Sequence, residues 1–291
     1  MYRINSEINK LTGLKVICVA VFLLLLLCKL SAQTAYGNNK EAGQYITLNG
    51  VKHYYEVYGN GKPLLLIHGN STGIKGWVAQ IEFFSKKYKV YAIDCRGRGN
   101  SDLGKDSLTF KQTAHDMATF IELLQLDSVN IIGKSDGGIV ALMMGIYYPQ
   151  HIHKMVAFSA NLWPDTTTLL PETFTDIHNE RVHAEKMLAM KDTTQNWYLT
   201  KLRNRLMEFQ PHIALWDLQK IQVPVLVLSC DRDVVKEEHT LLIYKNIPKA
   251  NLAILPNETH SVAKQNPGLF NTTIERFLAE PFKGYSRRFE R

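Results

Sequence analysis

A serine lies between two apolar segments in the stretch "VNIIGKSDGGIVAL", residues 129–142. The segment before it is typical of a buried strand, and the segment after it has helical character. The five residues "GKSDG", 133–137, fit the pattern G-x-S-x-G at this strand-to-helix junction. Such a turn is sharp and strained, and it holds the serine hydroxyl at a helix N-terminus that favours developing negative charge. The pattern predicts that Ser135 is a nucleophile.

Two later strand ends offer the groups that would activate this serine. A serine hydroxyl needs a histidine to accept its proton and a carboxylate to orient that histidine. The run "VPVLVLSCDRDVV" places Asp231 and Asp233 after one strand, and "LPNETHSV" places His260 after the last one. The chain order Ser, Asp, His is the one that this type of nucleophile turn requires. We expect Asp233 rather than Asp231 to be the acid because it lies deeper in its loop, although a turn-capping role is open for either.

An oxyanion hole requires two backbone N–H groups that point at the reacting oxygen. The amide of Asp136, directly after the nucleophile, predicts one of them. The loop "HGNS" after the run "PLLLIHG" predicts the other, because Gly69 permits a tight turn and Asn70 supplies the amide. We interpret His68 as a brace for this loop rather than a second base.

The elements that must position these residues alternate between strands and helices. The runs "QYITLNG" and "VKHYYEVYG" meet at Asn49-Gly50, which indicates a β-hairpin. Later runs are nearly continuous in apolar residues, as in parallel strands buried on both faces: "PLLLIHG", "KVYAIDC", "SVNIIGK", "KMVAFSA", "VPVLVLSC" and "ANLAILPN". Helical periodicity occurs between most of them, notably at 109–126 and 138–148. The pattern predicts an α/β fold with a mostly parallel, doubly wound sheet opened by an antiparallel hairpin.

One connection is much longer than the others. About sixty residues with helical character and many aromatics separate "KMVAFSA" from "VPVLVLSC". We predict an inserted helical cap at 162–220, over the sheet edge where ligands of such sheets bind, between core segments 44–161 and 221–280. The alternative is a helical elaboration that does not contact a substrate.

The N-terminal segment has the features of a secretory signal. Three basic residues precede the apolar block at 16–28, which is shorter than the roughly 20 residues that span a bilayer. Small residues follow it in "LSAQTA". Residues 1–33 are therefore predicted to be a signal peptide, and the protein to be secreted or periplasmic. An uncleaved N-terminal membrane anchor is the alternative.

Charge and composition limit the partners. The formal charge of +7 falls to +4 without residues 1–33, since 30 basic and 26 acidic residues then remain. No Lys/Arg-rich run precedes the "RR" near the C-terminus, and we expect no nucleic-acid role. The cysteine spacing gives no metal site, and the predicted chemistry needs no cofactor. The sequence leaves the oligomeric state unknown.

Taken together, these motifs resemble the α/β-hydrolase superfamily from about Gln44 to about Leu278. The segment "DCRGRGNSD", residues 94–102, looks like the superfamily's loop after its fourth strand, and "THSV" and "FNTTIERFL" look like its histidine loop and final helix. Cys230 stands where the acid loop usually has glycine. The superfamily's strand order separates the strands that precede Cys95 and Cys230, so we expect two buried thiols rather than a disulfide.

A narrower resemblance concerns the nucleophile region. The segment "GKSDGGIVALMMGIYYPQHIHKMVAFSAN" is similar to the valacyclovir hydrolase or biphenyl-hydrolase-like group, which also carries S-D-G-G. That group hydrolyses esters of α-amino acids. The resemblance implies that Asp136 binds a substrate amine, since a carboxylate near the scissile carbonyl favours a neighbouring ammonium group. The alternative is that Asp136 only caps the helix that begins there.

The leading hypothesis is a serine hydrolase that cleaves small carboxylic esters, including α-amino acid esters, through an acyl-enzyme. Its partner would be a small-molecule ester or amide. A proline-iminopeptidase-like aminopeptidase, a C–C bond hydrolase or an acyltransferase could use the same triad. Epoxide hydrolases and haloalkane dehalogenases are disfavoured, because they have an aspartate where this chain has Ser135. A non-catalytic secreted binding protein is the alternative of another class, and the complete triad disfavours it.

Overall fold

The computed structural model describes residues 35–104 and 108–284 of the 291-residue chain. The predicted signal peptide, residues 1–33, lies outside the described residues and stays a prediction. Within the described ranges, no helix is both long and apolar enough to cross a membrane.

The centre of the protein is an eight-stranded sheet with the order β1-β2-β4-β3-β5-β6-β7-β8. The strands are β1 Gly43–Leu48, β2 Val51–Tyr58, β3 Lys62–Ile67, β4 Tyr88–Ile93, β5 Val129–Lys134, β6 Ile152–Phe158, β7 Val225–Arg232 and β8 Ala250–Thr259. Strand β2 pairs antiparallel with β1 and β4, and all other pairs are parallel. Asn49 and Gly50 both have positive φ, 48° and 78°, as a two-residue hairpin turn requires. The predicted fold class is confirmed.

Helices cover both faces of this sheet. They are α1 Val78–Phe84, α2 Phe110–Leu123, α3 Asp136–Tyr147, α4 Pro171–Ala189, α5 Trp197–Phe209, α6 Leu215–Leu218, α7 Glu237–Asn246, α8 Val262–Gln265 and α9 Pro267–Ala279, with short 3-10 turns at Ile74–Trp77 and Pro149–His151. Alternate residues of β3 enter different cores: Leu65 and Ile67 join one cluster, whereas Leu64 and Leu66 join the other. Two-sided burial explains why the parallel strands are continuous apolar runs.

Three helices, α4 to α6, lie between β6 and β7, where the sequence predicts an inserted cap. Helix α4 is joined to α5 by an ion pair between Arg181 and Glu208. A short antiparallel bridge, Leu169 with Val235, connects the insertion to the loop after β7. The insertion therefore begins and is held beside the carboxyl end of β7. The boundaries 44–161, 162–220 and 221–280 stay predictions.

The two cysteines of the described residues are free and buried. Cys95 follows β4 and Cys230 belongs to β7, and three strands separate β4 from β7 in the sheet. The expectation of two buried thiols is confirmed.

A buried ion pair anchors the loop after β4. The guanidinium of Arg96 binds both carboxylate oxygens of Asp116 in α2, at 2.8 and 3.0 Å, and Asn49 donates to the same carboxylate at 3.0 Å. Burial works against ionisation of Asp116, but its contacts with His53, Arg96 and Asn49 outweigh burial and lower its pKa. Asp116 is therefore ionised at neutral pH, and the loop is tied to α2.

Asp116→Asn is expected to lower the free energy of unfolding by about 3 kcal/mol at pH 7, because it leaves the buried Arg96 charge without its partner. The folded-state pKa of Asp116 lies below the unfolded value, so its stabilisation is present above about pH 4 and is lost as the pH falls through the folded pKa. The difference from wild type, measured by urea denaturation at pH 3 to 7, should shrink towards acid. Asp127→Asn, at an exposed carboxylate, is the control. A loss that is the same at pH 3 and pH 7 would contradict this account.

Candidate active site

Ser135 occupies the sharp turn between β5 and α3. Its backbone has φ 55° and ψ −120°, a left-handed conformation that costs energy for a residue with a side chain. The turn is held by a bond from Ser135 N to Phe158 O at 2.8 Å. A Cβ at Gly133 would overlap the carbonyl of Gly137, and a Cβ at Gly137 would overlap the carbonyl of Ile67. The glycines of G-x-S-x-G are thus required by close backbone approach.

His260 lies directly after β8 and contacts the predicted acid. Its Nδ1 is 2.7 Å from Asp233 Oδ1. The imidazole also stacks against the ring of Phe158, with centroids 6.1 Å apart and planes 25° apart. The ring is therefore fixed on one side by a carboxylate and on its face by an aromatic side chain.

Asp233 is buried and receives several hydrogen bonds besides that of His260. Ser159 Oγ donates to Oδ2, Ser229 Oγ lies 3.3 Å from the same oxygen, and the amide of Val234 donates to Oδ1 at 2.7 Å. Burial raises the pKa of Asp233, but the bonds from His260, Ser159 and Val234 outweigh burial, so the pKa lies below the ordinary value. The carboxylate is ionised at neutral pH, so Nδ1 of His260 carries the proton and Nε2 is left as the base.

Asp231, the alternative acid, has a different role. It is exposed and accepts hydrogen bonds from the amides of Asn257 at 2.9 Å and Glu258 at 3.2 Å. These bonds, that of Asn257 most, lower its pKa. Asp231 therefore braces the segment that leads to His260, while Asp233 makes the contact with the imidazole.

Ser135 and His260 line the same cavity, which has a volume of about 220 Å³. No hydrogen bond joins their side chains among the described residues. In ligand-free enzymes such bonds are often long or poorly aligned. The cavity walls are mainly apolar, and the inserted segment contributes Leu169, Thr173, Ile177, Met207 and Gln210. The insertion does contact the cavity, as a cap over the site would.

The backbone amides of Asn70 and Asp136 are the two predicted donors of the oxyanion hole. Neither donates a hydrogen bond to another group in the described chain. A Cβ at Gly69 would lie 3.3 Å from Ser135 Cβ, so this loop passes close to the serine. His68 Nε2 accepts from the amide of Cys95 at 2.9 Å, so its Nδ1 is the donor to Gly69 O at 2.6 Å. Burial lowers the pKa of His68 to about 4, and the residue is a neutral brace.

The side chain of Asp136 faces Asn70 and Arg98. Asn70 Nδ2 donates to Oδ2 at 3.0 Å, and Arg98 Nη2 lies 3.3 Å from the same oxygen. Burial raises the pKa of Asp136, and the Arg98 charge and the Asn70 hydrogen bond oppose that rise. The side chain is 10% exposed, lines the cavity and caps no amide of α3. Asp136 makes no capping hydrogen bond within the described residues, but it lies in the first turn of α3, where its charge interacts favourably with the helix dipole.

The model of a family described as alpha/beta hydrolase fold matches residues 62–210. This range covers β3 to α5, including the nucleophile turn and the Asn70 loop. The chain belongs to the α/β hydrolase family. The resemblance noted from the sequence is confirmed.

Among relatives of this hydrolase, "Serine hydrolase BPHL" of Homo sapiens is 27% identical over 259 residues, covering 84% of this chain and 88% of the relative. The "(E)-2-((N-methylformamido)methylene)succinate hydrolase" of Acinetobacter baylyi is 26% identical over 253 residues, covering 79% and 95%. The solved structure of the enol-lactonase from Burkholderia xenovorans has a TM-score of 0.69 at 20% identity, covering 81% of this chain and 100% of that one. That likeness shows the fold.

Two residues beside the site of this hydrolase were not predicted from the sequence. Ser159, at the end of β6, donates to Asp233 and lines the cavity. The strand-end rule that selected Asp233 and His260 also applies to Ser159, since polar residues at carboxyl ends of parallel strands share one sheet edge. Arg98 also follows a strand, β4, but no local pattern indicates its partners, because Asn70 follows β3 and Asp136 begins α3 after β5.

Proposed function

We propose that this chain is a serine hydrolase that cleaves small carboxylic esters through an acyl-enzyme. The observation that carries the proposal is the 2.7 Å contact between His260 and the ionised Asp233, in a cavity that also contains the strained Ser135. The contact of His260 with Asp233, and the shared cavity of His260 and Ser135, support the arrangement that acyl transfer needs. The similarity to a serine hydrolase over most of both chains supports it.

The reaction follows from the positions of these groups. Ser135 Oγ attacks the ester carbonyl carbon, and its proton passes to Nε2 of His260, while Asp233 stabilises the resulting imidazolium through Nδ1. The carbonyl oxygen becomes an oxyanion that accepts hydrogen bonds from the amides of Asn70 and Asp136. His260 then protonates the leaving alkoxide, and the ester C–O bond breaks. Water, deprotonated by His260, attacks the acyl-enzyme and releases the acid with Ser135 restored.

The size and lining of the cavity favour a small acyl group. Its volume of about 220 Å³ is below the usual range for drug-sized ligands, about 300–1,000 Å³. Apolar walls from Ile139, Ile177 and Val235 favour a hydrocarbon chain. We therefore propose short aliphatic or small α-substituted acyl esters as substrates.

Amine recognition by Asp136 is a finer proposal. Oδ2 already has Asn70 and Arg98 as partners, so a substrate ammonium would bind Oδ1 and would share the carboxylate with Arg98. Because Arg98 offsets much of the charge, we expect the preference for an amine-bearing ester to be modest.

The matched pair p-nitrophenyl alaninate and p-nitrophenyl propionate, which differ in the α-ammonium, tests both proposals. Wild type is expected to hydrolyse both with kcat/KM values within about tenfold of each other. Asp136→Asn should slow both, since it disturbs Arg98 and Asn70, with an extra loss on the alaninate below about tenfold. Asp176→Asn, on the exposed part of α4, is the control and should change neither rate.

Three outcomes would contradict these proposals. Failure of wild type to hydrolyse either ester would refute the esterase, and turnover of a proline p-nitroanilide alone would favour the aminopeptidase. An Asp136→Asn loss of a hundredfold confined to the alaninate would show that the Asp136 charge is free for substrate and that Arg98 does not offset it.

A further inference from the structure

Arg98 is a buried cation at the back of the proposed oxyanion hole. Its side chain is 4% exposed, and each nitrogen of its fork has a partner. Nε donates to Asn70 O at 3.1 Å, Nη1 to Arg96 O at 3.0 Å, and Nη2 reaches Asp136 Oδ2 at 3.3 Å. The planar fork thus contacts both residues whose amides would hold the oxyanion.

The loop that carries Asn70 depends on such contacts. Residues 68 to 73 belong to no helix or strand, and Ser71 and Thr72 are exposed. His68 holds the carbonyl of Gly69, which belongs to the same peptide unit as the Asn70 amide. Arg98 holds the next carbonyl, that of Asn70 itself. The peptide units before and after the Asn70 Cα are therefore both held by side chains, which fixes the direction of the free Asn70 amide.

The Asn70 side chain closes the arrangement. Its Nδ2 donates to Asp136 Oδ2, which Arg98 also contacts, and to the carbonyl of Arg203 in α5 at 3.2 Å. Asn70 is thereby joined to the nucleophile turn and to the inserted helices. Without Arg98, the carbonyl of Asn70 would lose its partner, and Asp136 Oδ2 would keep only the hydrogen bond from Asn70.

Charge gives Arg98 a second effect. Asp136 follows the nucleophile directly, so an unpaired carboxylate there would repel the oxyanion that forms on attack. The Arg98 guanidinium lies 3.3 Å from Asp136 Oδ2, and its positive charge offsets this repulsion. The alignment of the Asn70 amide and the neutralisation of Asp136 by Arg98 therefore both lower the barrier for acyl transfer.

We propose that Arg98 is a positioning residue for the oxyanion hole, which aligns the Asn70 amide and neutralises Asp136. The inference rests on the proposed serine hydrolase function. It assigns Arg98 to stabilisation of the tetrahedral state rather than to substrate binding, so its loss should lower kcat and leave KM little changed.

The test compares Arg98→Lys, Arg98→Met and wild type, with Arg205→Met on the exposed surface of α5 as control. Four quantities are measured: kcat and KM for p-nitrophenyl propionate, the inhibition constant of an alkyl trifluoromethyl ketone, and the thermal midpoint. The ketone forms a tetrahedral oxyanion with the serine, so its inhibition constant measures how strongly the oxyanion hole stabilises that oxyanion. The thermal midpoint reports any loss of fold.

Arg98→Met is expected to lower kcat roughly 100-fold and to raise the inhibition constant of the ketone by a similar factor, with KM within about threefold of wild type. Arg98→Lys retains the charge but not the planar guanidinium. Its kcat and its inhibition constant for the ketone should lie between those of wild type and Arg98→Met. If Arg98→Met does not fold, Arg98→Lys alone must show parallel losses in kcat and ketone affinity. Arg205→Met should match wild type.

Two results would overturn the inference. Variants whose kcat and ketone affinity stay within about threefold of wild type would remove Arg98 from the oxyanion hole. A fall in thermal midpoint and kcat with unchanged ketone affinity would assign it a structural role only. Failure of wild type to hydrolyse the ester or to bind the ketone would instead refute the proposed function itself.

Discussion

Ser135→Ala is expected to lower kcat for p-nitrophenyl propionate by about 10⁴- to 10⁶-fold, the largest effect of any single change in this chain. The variant lacks the nucleophile that forms the acyl-enzyme, so the residual rate comes from the oxyanion hole and substrate binding alone. KM should change little because the hydroxyl contributes mainly to the reacting state. The Ser135 side chain donates no hydrogen bond among the described residues, so the free energy of unfolding should stay within about 1 kcal/mol of wild type.

Ser85→Ala, at the end of α1, is a matched control for this prediction. It also removes a serine hydroxyl, at the C-cap of α1 and outside the lining of the cavity, and should leave kcat unchanged. A Ser135→Ala enzyme that retains more than about one per cent of the wild-type kcat would mean that another group is the nucleophile.

Asp233→Asn is expected to lower kcat by about 10⁴-fold. The amide has no charge to stabilise the imidazolium, and it can present an NH₂ group to Nδ1 of His260. That arrangement favours the tautomer with the proton on Nε2, which then cannot accept the proton of Ser135. Steady-state kinetics on p-nitrophenyl propionate at several pH values measures the effect. The loss should persist across neutral pH, because the lowered pKa of Asp233 keeps it ionised there in wild type.

Asp231→Asn supplies a control two residues away in the same loop. Asp231 accepts from the amides of Asn257 and Glu258 and makes no contact with His260 among the described residues. We expect its loss to lower kcat by less than about tenfold, through a small movement of the segment before His260. Equal losses in the two variants would contradict the assignment of Asp233 as the acid of the triad.

The fold could be predicted because the sequence patterns that indicate its strands and turns are local. Continuous apolar runs indicated strands buried on both faces, and Asn49-Gly50 indicated the hairpin that the positive φ values now display. The triad was predictable for a related reason. Ser135, Asp233 and His260 each follow a strand, and the carboxyl ends of parallel strands meet at one edge of the sheet.

The environment of Asp136 was not predictable in the same way. The sequence offered an amine-binding role or a helix cap, whereas the structure pairs the carboxylate with Asn70 and Arg98. These partners follow β3, which pairs with β5, and β4, which lies on the other side of β3, so only the strand order of the sheet brings them to Asp136. Arg96 and Arg98 also look alike in the sequence. One binds Asp116 in α2 and the other binds Asp136, and only tertiary packing separates them.

The most direct test of the proposed nucleophile is covalent labelling with an alkyl fluorophosphonate, followed by intact mass and peptide mapping. A serine activated by His260 attacks the phosphorus and expels fluoride, whereas an unactivated serine does not react. We expect one label per chain, on Ser135, that is absent from Ser135→Ala and strongly slowed in Asp233→Asn. A wild-type protein that hydrolyses esters yet carries no label, or carries it on another residue, would contradict the mechanism.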